Sequence, residues 1–340
     1  RIRPEQHAAW NNLGTTLGEL HRIENAIDAF RRAVELKPDY ATGWRNLARM
    51  SQRGGRVDES IAASQRQLAL QPNDPHAIWN IELCRRELAA ERGPVPVHAD
   101  RPPMWFSISV TCYGDFPGYS VRCVDSIANT PGLLDRCDVH VGCNTVVPRT
   151  LAPLRAHFDG GRLTTLVESN RNLNKSPIVR TNLGITRTPY VLVVDDDSHM
   201  LPGWLDAMDR FIERNHPFDV AGSIFEIDRD AEFQKMVEPK PWWRGIDAGH
   251  PAYRTKVFLA TGGMYLARAA FLRQYNYPDR SMIIWREDAM LSDLTNQVGG
   301  KLLRFPKYVM DTVRINDGRR RGEDIMTVVP ATDEDFSTPM

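Results

Sequence analysis

The chain has 340 residues, 25% charged and 42% hydrophobic, with 43 basic side chains against 43 acidic ones and a net charge of zero. That length accommodates two domains, or one large domain with an extension, and the neutral balance speaks against a general nucleic-acid binder, which carries a basic excess. No apolar run approaches the length of a membrane span, and the opening RIRPEQHAAW holds no apolar signal core. The five cysteines, Cys84, Cys112, Cys123, Cys137 and Cys143, form no CxxC pair and stand mostly in apolar contexts. They read as buried free thiols of a reducing compartment, which implies a cytoplasmic protein.

The first ninety or so residues are helical in period and internally repeated. Trp10 and Trp44, Asn12 and Asn46, Leu13 and Leu47, and Pro38 and Pro72 recur at one interval of about 34 residues. The first copy runs Trp10, Leu13, Gly14, Leu17, then Ala26, Phe30, Ala33 and Pro38. The second keeps Trp44, Leu47, Ile61 and Leu68 but has Ser60 and Ser64 at two apolar positions. This pattern resembles the tetratricopeptide repeat, with copies over 7–40 and 41–74 and a capping helix over 75–91. Small Gly and Ala let paired helices approach, while Trp and Phe fill the space between repeats. Two repeats are fewer than usually stand alone, so the unit is expected to dock on its neighbour or to continue before residue 1. The resemblance implies a concave groove for a protein or peptide, as acceptor or partner, and leaves oligomerisation through the repeats open.

GPVPVHADRPPM, 93–104, has four prolines and no period, and reads as an extended linker. Short apolar runs then alternate with helical segments. Strands are expected over 106–112, 138–144, 163–169 and 190–194, and helices over 118–130, 149–158 and 176–187. A helix follows Pro202 with Trp204, Leu205, Met208, Phe211 and Ile212 on its apolar side, and strands follow over 220–227 and 256–268. The alternation predicts an α/β domain with a mainly parallel sheet flanked by helices.

The last of the early strands, YVLVV, runs directly into Asp195, Asp196 and Asp197. Adjacent carboxylates at the end of a buried segment need a positive partner. Ligands of open α/β sheets bind off the carboxyl ends of the strands, and hard cations such as Mg²⁺ or Mn²⁺ take carboxylate oxygens and complete their shells with water and phosphate. Taken alone, the triplet before Ser198 is equally a solvated turn and helix cap.

Five pieces in fixed order resolve that ambiguity. They are the opening strand and helix ISVTCYGDFPGYSVRCVDSI; the segment VRTNLGITRTPYVLVVDDDS with Arg180, Asn182 and Gly184; the DxD motif formed by Asp195 and Asp197 with Pro202 after it; GGMYLARAAFL with Gly262 and Gly263; and REDAML over 286–291. Together they resemble a family 2 glycosyltransferase with the GT-A (Rossmann-like) fold, covering 105 to about 315, with 316–340 as a C-terminal tail.

The resemblance implies a metal-dependent, inverting transfer from a nucleotide-diphosphate sugar, a UDP-sugar being favoured. Asp195 and Asp197 would hold Mn²⁺ or Mg²⁺, Asp288 would be the general base, and Glu287 would support it. Thr111, Tyr113, Asp115, Asn144, Arg171, Lys175, Arg180, Asp196, Gly262 and Gly263 would face the donor. Asn144 stands where the family often has an acidic residue that reads the base, which leaves the base open. Asp196 either bonds the ribose or points away. Trp242 and Trp243, in the loop 238–250, are candidates for acceptor stacking; packing of one of them into the core is the equal alternative. His250 and Asp311 are candidates for a further metal ligand, and Arg319, Arg320 and Arg321 for a closing loop. No QxxRW motif occurs, which speaks against a processive polysaccharide synthase. A transferase of cell-surface glycans whose repeats recruit a partner, and a scaffold without turnover, remain as alternatives.

Overall fold

The structure, a computed structural model, describes residues 6–19, 22–92, 104–170, 175–247, 251–278 and 287–315. The expected linker over 93–104 lies almost wholly outside them, as do Arg171, His250 and the arginines of 319–321. The chain divides into two compact units, residues 1–94 with 250–252, and residues 95–249 with 253–340.

In the first unit α1 (His7–Glu19), α2 (Ile23–Leu36), α3 (Ala41–Arg53), α4 (Val57–Leu70) and α5 (Pro75–Arg92) pack each on the next. Ala26, Ile27, Phe30, Val34, Leu47, Ala48, Met50 and Ala63 form the core, with Trp44 and Leu17 against it. The repeat glycines have a steric cause. A Cβ on Gly14 would stand 2.8 Å from the Phe30 ring, and one on Gly18 2.5 Å from Met50 Cε. The serines that weaken the second copy are buried and bonded: Asn80 Nδ2 donates to Ser60 Oγ (3.0 Å) and Ser64 Oγ (2.8 Å), and Ser60 donates to Ala48 O (2.8 Å). A polar knot there replaces the apolar contact of the first copy.

The second unit begins with β1 (Phe106–Tyr113), α6 (Pro117–Ala128), β2 (Val139–Asn144), α7 (Pro148–Asp159), β3 (Thr165–Ser169), α8 (Lys175–Ile185) and β4 (Tyr190–Asp195). It continues with β5 (His199–Met200), α9 (Trp204–Asn215), β6 (Val220–Asp228), α10 (Ala231–Val237), β7 (Lys256–Arg268) and α11 (Ala269–Gln274). It ends with α12 (Glu287–Gln297), β8 (Leu302–Arg304), α13 (Lys307–Met310) and β9 (Val313–Arg314). Seven strands form one sheet in the order β3-β2-β1-β4-β7-β6-β8. All neighbours are parallel except β7, which runs antiparallel to both β4 and β6. The short strands β5 and β9 pair separately; with α10 they are elements that periodicity did not reveal.

Strand alternation separates the two faces of this sheet. Ile108, Val110, Cys112, Val139, Val141, Leu192 and Val194 join α6 and α9 in the main core. The opposite face carries Ser107, Ser109 and Thr111, and there α8 lies close: Asn182 Nδ2 donates to Ser109 Oγ at 2.8 Å. A Cβ on Gly142 of β2 would come within 2.0 Å of Ile178 Cγ2 on α8. All five cysteines are buried, and none is in a disulfide. Among the described residues no helix is long and apolar enough to cross a membrane.

Helix α12 is fixed at three heights. Ala260 N–H on β7 donates to Ser292 Oγ at 2.9 Å. The Gln297 amide accepts from Arg244 N–H (2.9 Å) and donates to Gly245 O (3.0 Å). Between them Arg229, just past β6, pairs with Asp293; the side chains are 2% and 0% exposed. Burial pushes the Asp293 carboxyl up against the opposing pull of Arg229.

Two substitutions test this packing. Gly142→Ala is expected to cost about 1–3 kcal/mol in urea unfolding through overpacking, and Ile178→Ala in the same chain should return part of it. Arg229→Met strands a buried carboxylate and is expected to cost about 3–5 kcal/mol, whereas Arg229→Met with Asp293→Leu should cost clearly less.

Candidate active site

The parallel strands β1, β2, β3 and β4 end together, and their carboxyl edge collects most of the residues that sequence reasoning selected. In register, Thr111 stands beside Asp195, and Asn144 stands beside both Tyr113 and Ser169. The edge is closed by backbone bonds between loops: Thr145 N–H donates to Ser169 O (2.9 Å) and Val147 N–H to Gly114 O (3.1 Å). Gly114, at φ +67°, makes the turn out of β1.

The three aspartates do not share one environment. Because β4 alternates, Asp195 falls on the α8 face and Asp196 on the α6 face. Asp196 is 1% exposed. Its carboxylate accepts a short hydrogen bond from Ser120 Oγ of α6 and a longer one, 3.4 Å, from Tyr113 N–H. Beside it, burial first and the Asp196 charge second hold the Cys112 and Cys123 thiols well above their usual range. Of the two alternatives for Asp196, this burial fits the one in which it points away from the donor, and its bond to Ser120 ties the end of β4 to the first helix of the domain.

Asp195 and Asp197 are half-buried and flank it. Ser198 N–H donates to Asp195 O at 2.9 Å, so the chain turns within the motif. Lys175, the first residue of α8, puts its Nζ 2.7 Å from Asp195 Oδ1, and the side chains are 15% and 29% exposed. Two carboxylates separated by one residue supply the hard oxygen donors that Mg²⁺ or Mn²⁺ prefers, and one of them already faces a cation. The donor set fits such an ion. Among the described residues no group of three His, Cys, Asp or Glu stands ready to hold a metal. Asp311 is not aimed at the motif: its carboxylate pairs with Lys307 at 2.7 Å on the surface.

Other expected donor contacts divide. Tyr113 is half-buried, with its ring edge-on to Phe116 at 5.9 Å between centroids. Thr111 and Asn144 are buried at the strand ends. Asp115 is exposed and grips Arg149 of α7 through both oxygens, the Nε bond being 2.5 Å. Arg180 is turned away, because its Nη1 donates to Asn276 Oδ1 (2.9 Å) and Pro278 O (3.1 Å) and ties α8 to the turn after α11. Gly262 and Gly263 lie inside β7, not before a new strand. The β6 register shifts opposite them, between Gly222 and Ile224, and Ser198 Oγ donates to Gly263 O at 3.1 Å.

Of the two alternatives for the tryptophans, Trp242 fits packing into the core, being only 6% exposed, while the half-buried Trp243 places its ring 5.5 Å from the Arg229 guanidinium. Glu287 and Asp288 open that helix. Asp288 is half-buried, and its Oδ1 accepts from Ala289 N–H at 2.8 Å. Three residues escaped sequence reasoning. Ser120 is a hydroxyl on the apolar stripe of α6, and Asp293 is a charge among the buried Met290, Leu291 and Leu294; both were visible signals of a buried partner. Arg149 carried no such signal.

Family models match two stretches of the chain: Tetratricopeptide repeat over residues 7–40 and Glycosyl transferase family 2 over residues 107–275. Asp288 lies beyond the second match. No curated protein matches the chain. Among solved structures, MamA is similar at 24% identity over 26% of this chain and 51% of that one, with a TM-score of 0.25. The mannosyltransferase PcManGT from Pyrobaculum calidifontis, in complex with GDP-Man and Mn²⁺, is similar at 15% identity over 75% of this chain and 67% of that one, with a TM-score of 0.44. S. aureus TarS 1–349, in complex with UDP-GlcNAc, is similar at 16% identity over 68% and 63%, with a TM-score of 0.43. The chain spans about half the length of the MamA structures it matches. Residues 7–40 are thus similar to the tetratricopeptide repeat, and residues 107–275, within an α/β domain with a mainly parallel sheet, to family 2 glycosyltransferases.

Proposed function

We propose that the second unit moves a sugar from a nucleotide-diphosphate sugar to an acceptor, with inversion at the anomeric carbon, and that the tetratricopeptide unit helps bind a protein or peptide acceptor. One observation carries this reading. In a domain that matches family 2, the two outer carboxylates of the DxD motif lie half-buried at the carboxyl edge of the sheet, beside Lys175, while the middle one is buried.

Asp195 and Asp197 would hold Mn²⁺ or Mg²⁺, and an ion bound there would offset the charge of the diphosphate and of the departing nucleoside diphosphate. The Tyr113 ring is suited to cover the base at the end of β1, and Asp115, oriented by Arg149, to meet its polar edge or the ribose. Asp288 sits at the amino end of α12, where its Oδ1 accepts from Ala289 N–H. As a base it takes the proton of the acceptor nucleophile while that atom attacks the anomeric carbon from the face opposite the diphosphate. The bond from that carbon to the diphosphate oxygen breaks, and its electron pair leaves with the nucleotide. A single displacement through an oxocarbenium-like transition state inverts the centre. Glu287, the neighbouring residue, is assigned to acceptor contact or support of the base.

The test is a screen of nucleotide-sugars with and without Mn²⁺, measuring released nucleoside diphosphate, with polypeptide, saccharide and lipid-linked acceptors in parallel. One donor is expected to turn over, with metal and with a polypeptide. Asp195→Ala should abolish turnover. Asp288→Asn should lower transfer by about 10²–10⁴-fold without loss of donor binding. Turnover that survives both changes contradicts the assignment, and transfer to saccharide or lipid-linked acceptors alone contradicts the protein acceptor.

A further inference from the structure

The contact between Lys175 and Asp195 has more than one consequence. The lysine nitrogen sits 2.7 Å from the oxygen that a divalent cation would take, and both side chains are largely shielded from water. Exposed pairs of this protein differ: Lys307 and Asp311 are more than half exposed, and such pairs exchange freely with solvent. An ammonium and a dication on one carboxylate oxygen repel each other, so metal binding has to move the lysine. The lysine has somewhere to stay. It is the first residue of α8, and its nitrogen is 5.8 Å from the ring of Tyr265, which lies two residues past Gly263 on β7. Rotation of a flexible four-carbon stem takes the ammonium off Asp195 without carrying it away from the strand edge.

We propose that Lys175 couples the two ligands of this site: it occupies Asp195 in place of the metal and gives it up when a diphosphate arrives to receive the ammonium. This rests on the reading of Asp195 as a metal ligand. The charges explain the coupling. Without ligand, Lys175 neutralises Asp195. Metal alone displaces the ammonium and leaves it beside a dication with no new anion. Metal with diphosphate brings negative oxygens that the ammonium can meet. Each ligand therefore binds better in the presence of the other, and the linkage is reciprocal. Lys175 acts as a positioning residue, distinct from the base and from the metal ligands.

The experiment uses the full chain and reads free Mn²⁺ by electron paramagnetic resonance, with and without UDP, and with GDP in a parallel arm. In the wild type a nucleoside diphosphate is expected to tighten Mn²⁺ binding by about tenfold or more. Lys175→Met should bind Mn²⁺ alone about tenfold more tightly than the wild type and lose most of the enhancement. Lys175→Arg, which keeps the charge, should retain the enhancement. Mn²⁺ binding to Lys175→Met that is no tighter than to the wild type overturns the coupling role and leaves the metal site standing. If no variant binds Mn²⁺ with either nucleotide, the metal assignment itself fails and the coupling falls with it.

Discussion

Successive side chains of an extended strand point to opposite faces, so three consecutive carboxylates at the end of β4 cannot share one neighbourhood. The alternation sends Asp196 into the α6 side, where Ser120 and the end of β1 receive it, and leaves Asp195 on the α8 side with Lys175. The like charges of Asp195 and Asp196, which would repel in one place, are thereby separated, each with its own counterpart. The same constraint explains why a buried acid is present at all. Asp196 links β4, β1 and α6, and with them the strand end that carries the outer two acids.

Strand β7 is the second element on which the site depends. It lies beside β4, so its backbone at Gly263 receives Ser198 from the DxD turn, and three residues earlier Ala260 N–H reaches Ser292 on the helix that begins with Glu287 and Asp288. The motif that would hold the donor and the helix that would carry the base are thus both fastened to one strand. Within this stretch the pairing of β7 with β6 shifts, the extra residues lying on β7, an irregularity of the kind that re-aims a strand. Arg229, Asp293, Trp243 and Gln297 fix the other side of the helix. A base must hold its geometry to work, and this helix is held by buried contacts along most of its length.

The alternating strands and helices were legible because each element shows its period within a few residues, and the repeat was legible because one spacing recurs. What escaped depended on distant partners. Ser120 and Asp196 are 76 residues apart, and Arg229 and Asp293 are 64 apart. Trp242 and Trp243 left stacking and core packing equally open because nothing local announces the arginine beside Trp243. A Gly–Gly pair is a turn signal, yet Gly262 and Gly263 sit within a strand, where β7 carries extra residues between the Gly222–Tyr265 and Ile224–Ala260 pairs, also a place where glycine serves. Arg180 matches a motif position, but its guanidinium is taken by Asn276 and Pro278, which no pattern in its own segment shows. Ser60 and Ser64 weaken the second repeat by pattern and are accounted for by Asn80 on the next helix.

The division of labour within the aspartate triplet decides what this site can bind. Anomalous diffraction at the manganese edge, from crystals of the full chain grown with Mn²⁺ and the nucleoside diphosphate of its donor, reads it directly. The predicted result is a single peak in contact with the carboxylates of Asp195 and Asp197, with Asp196 still bonded to Ser120. A peak ligated by Asp196, or manganese bound away from all three, would contradict it.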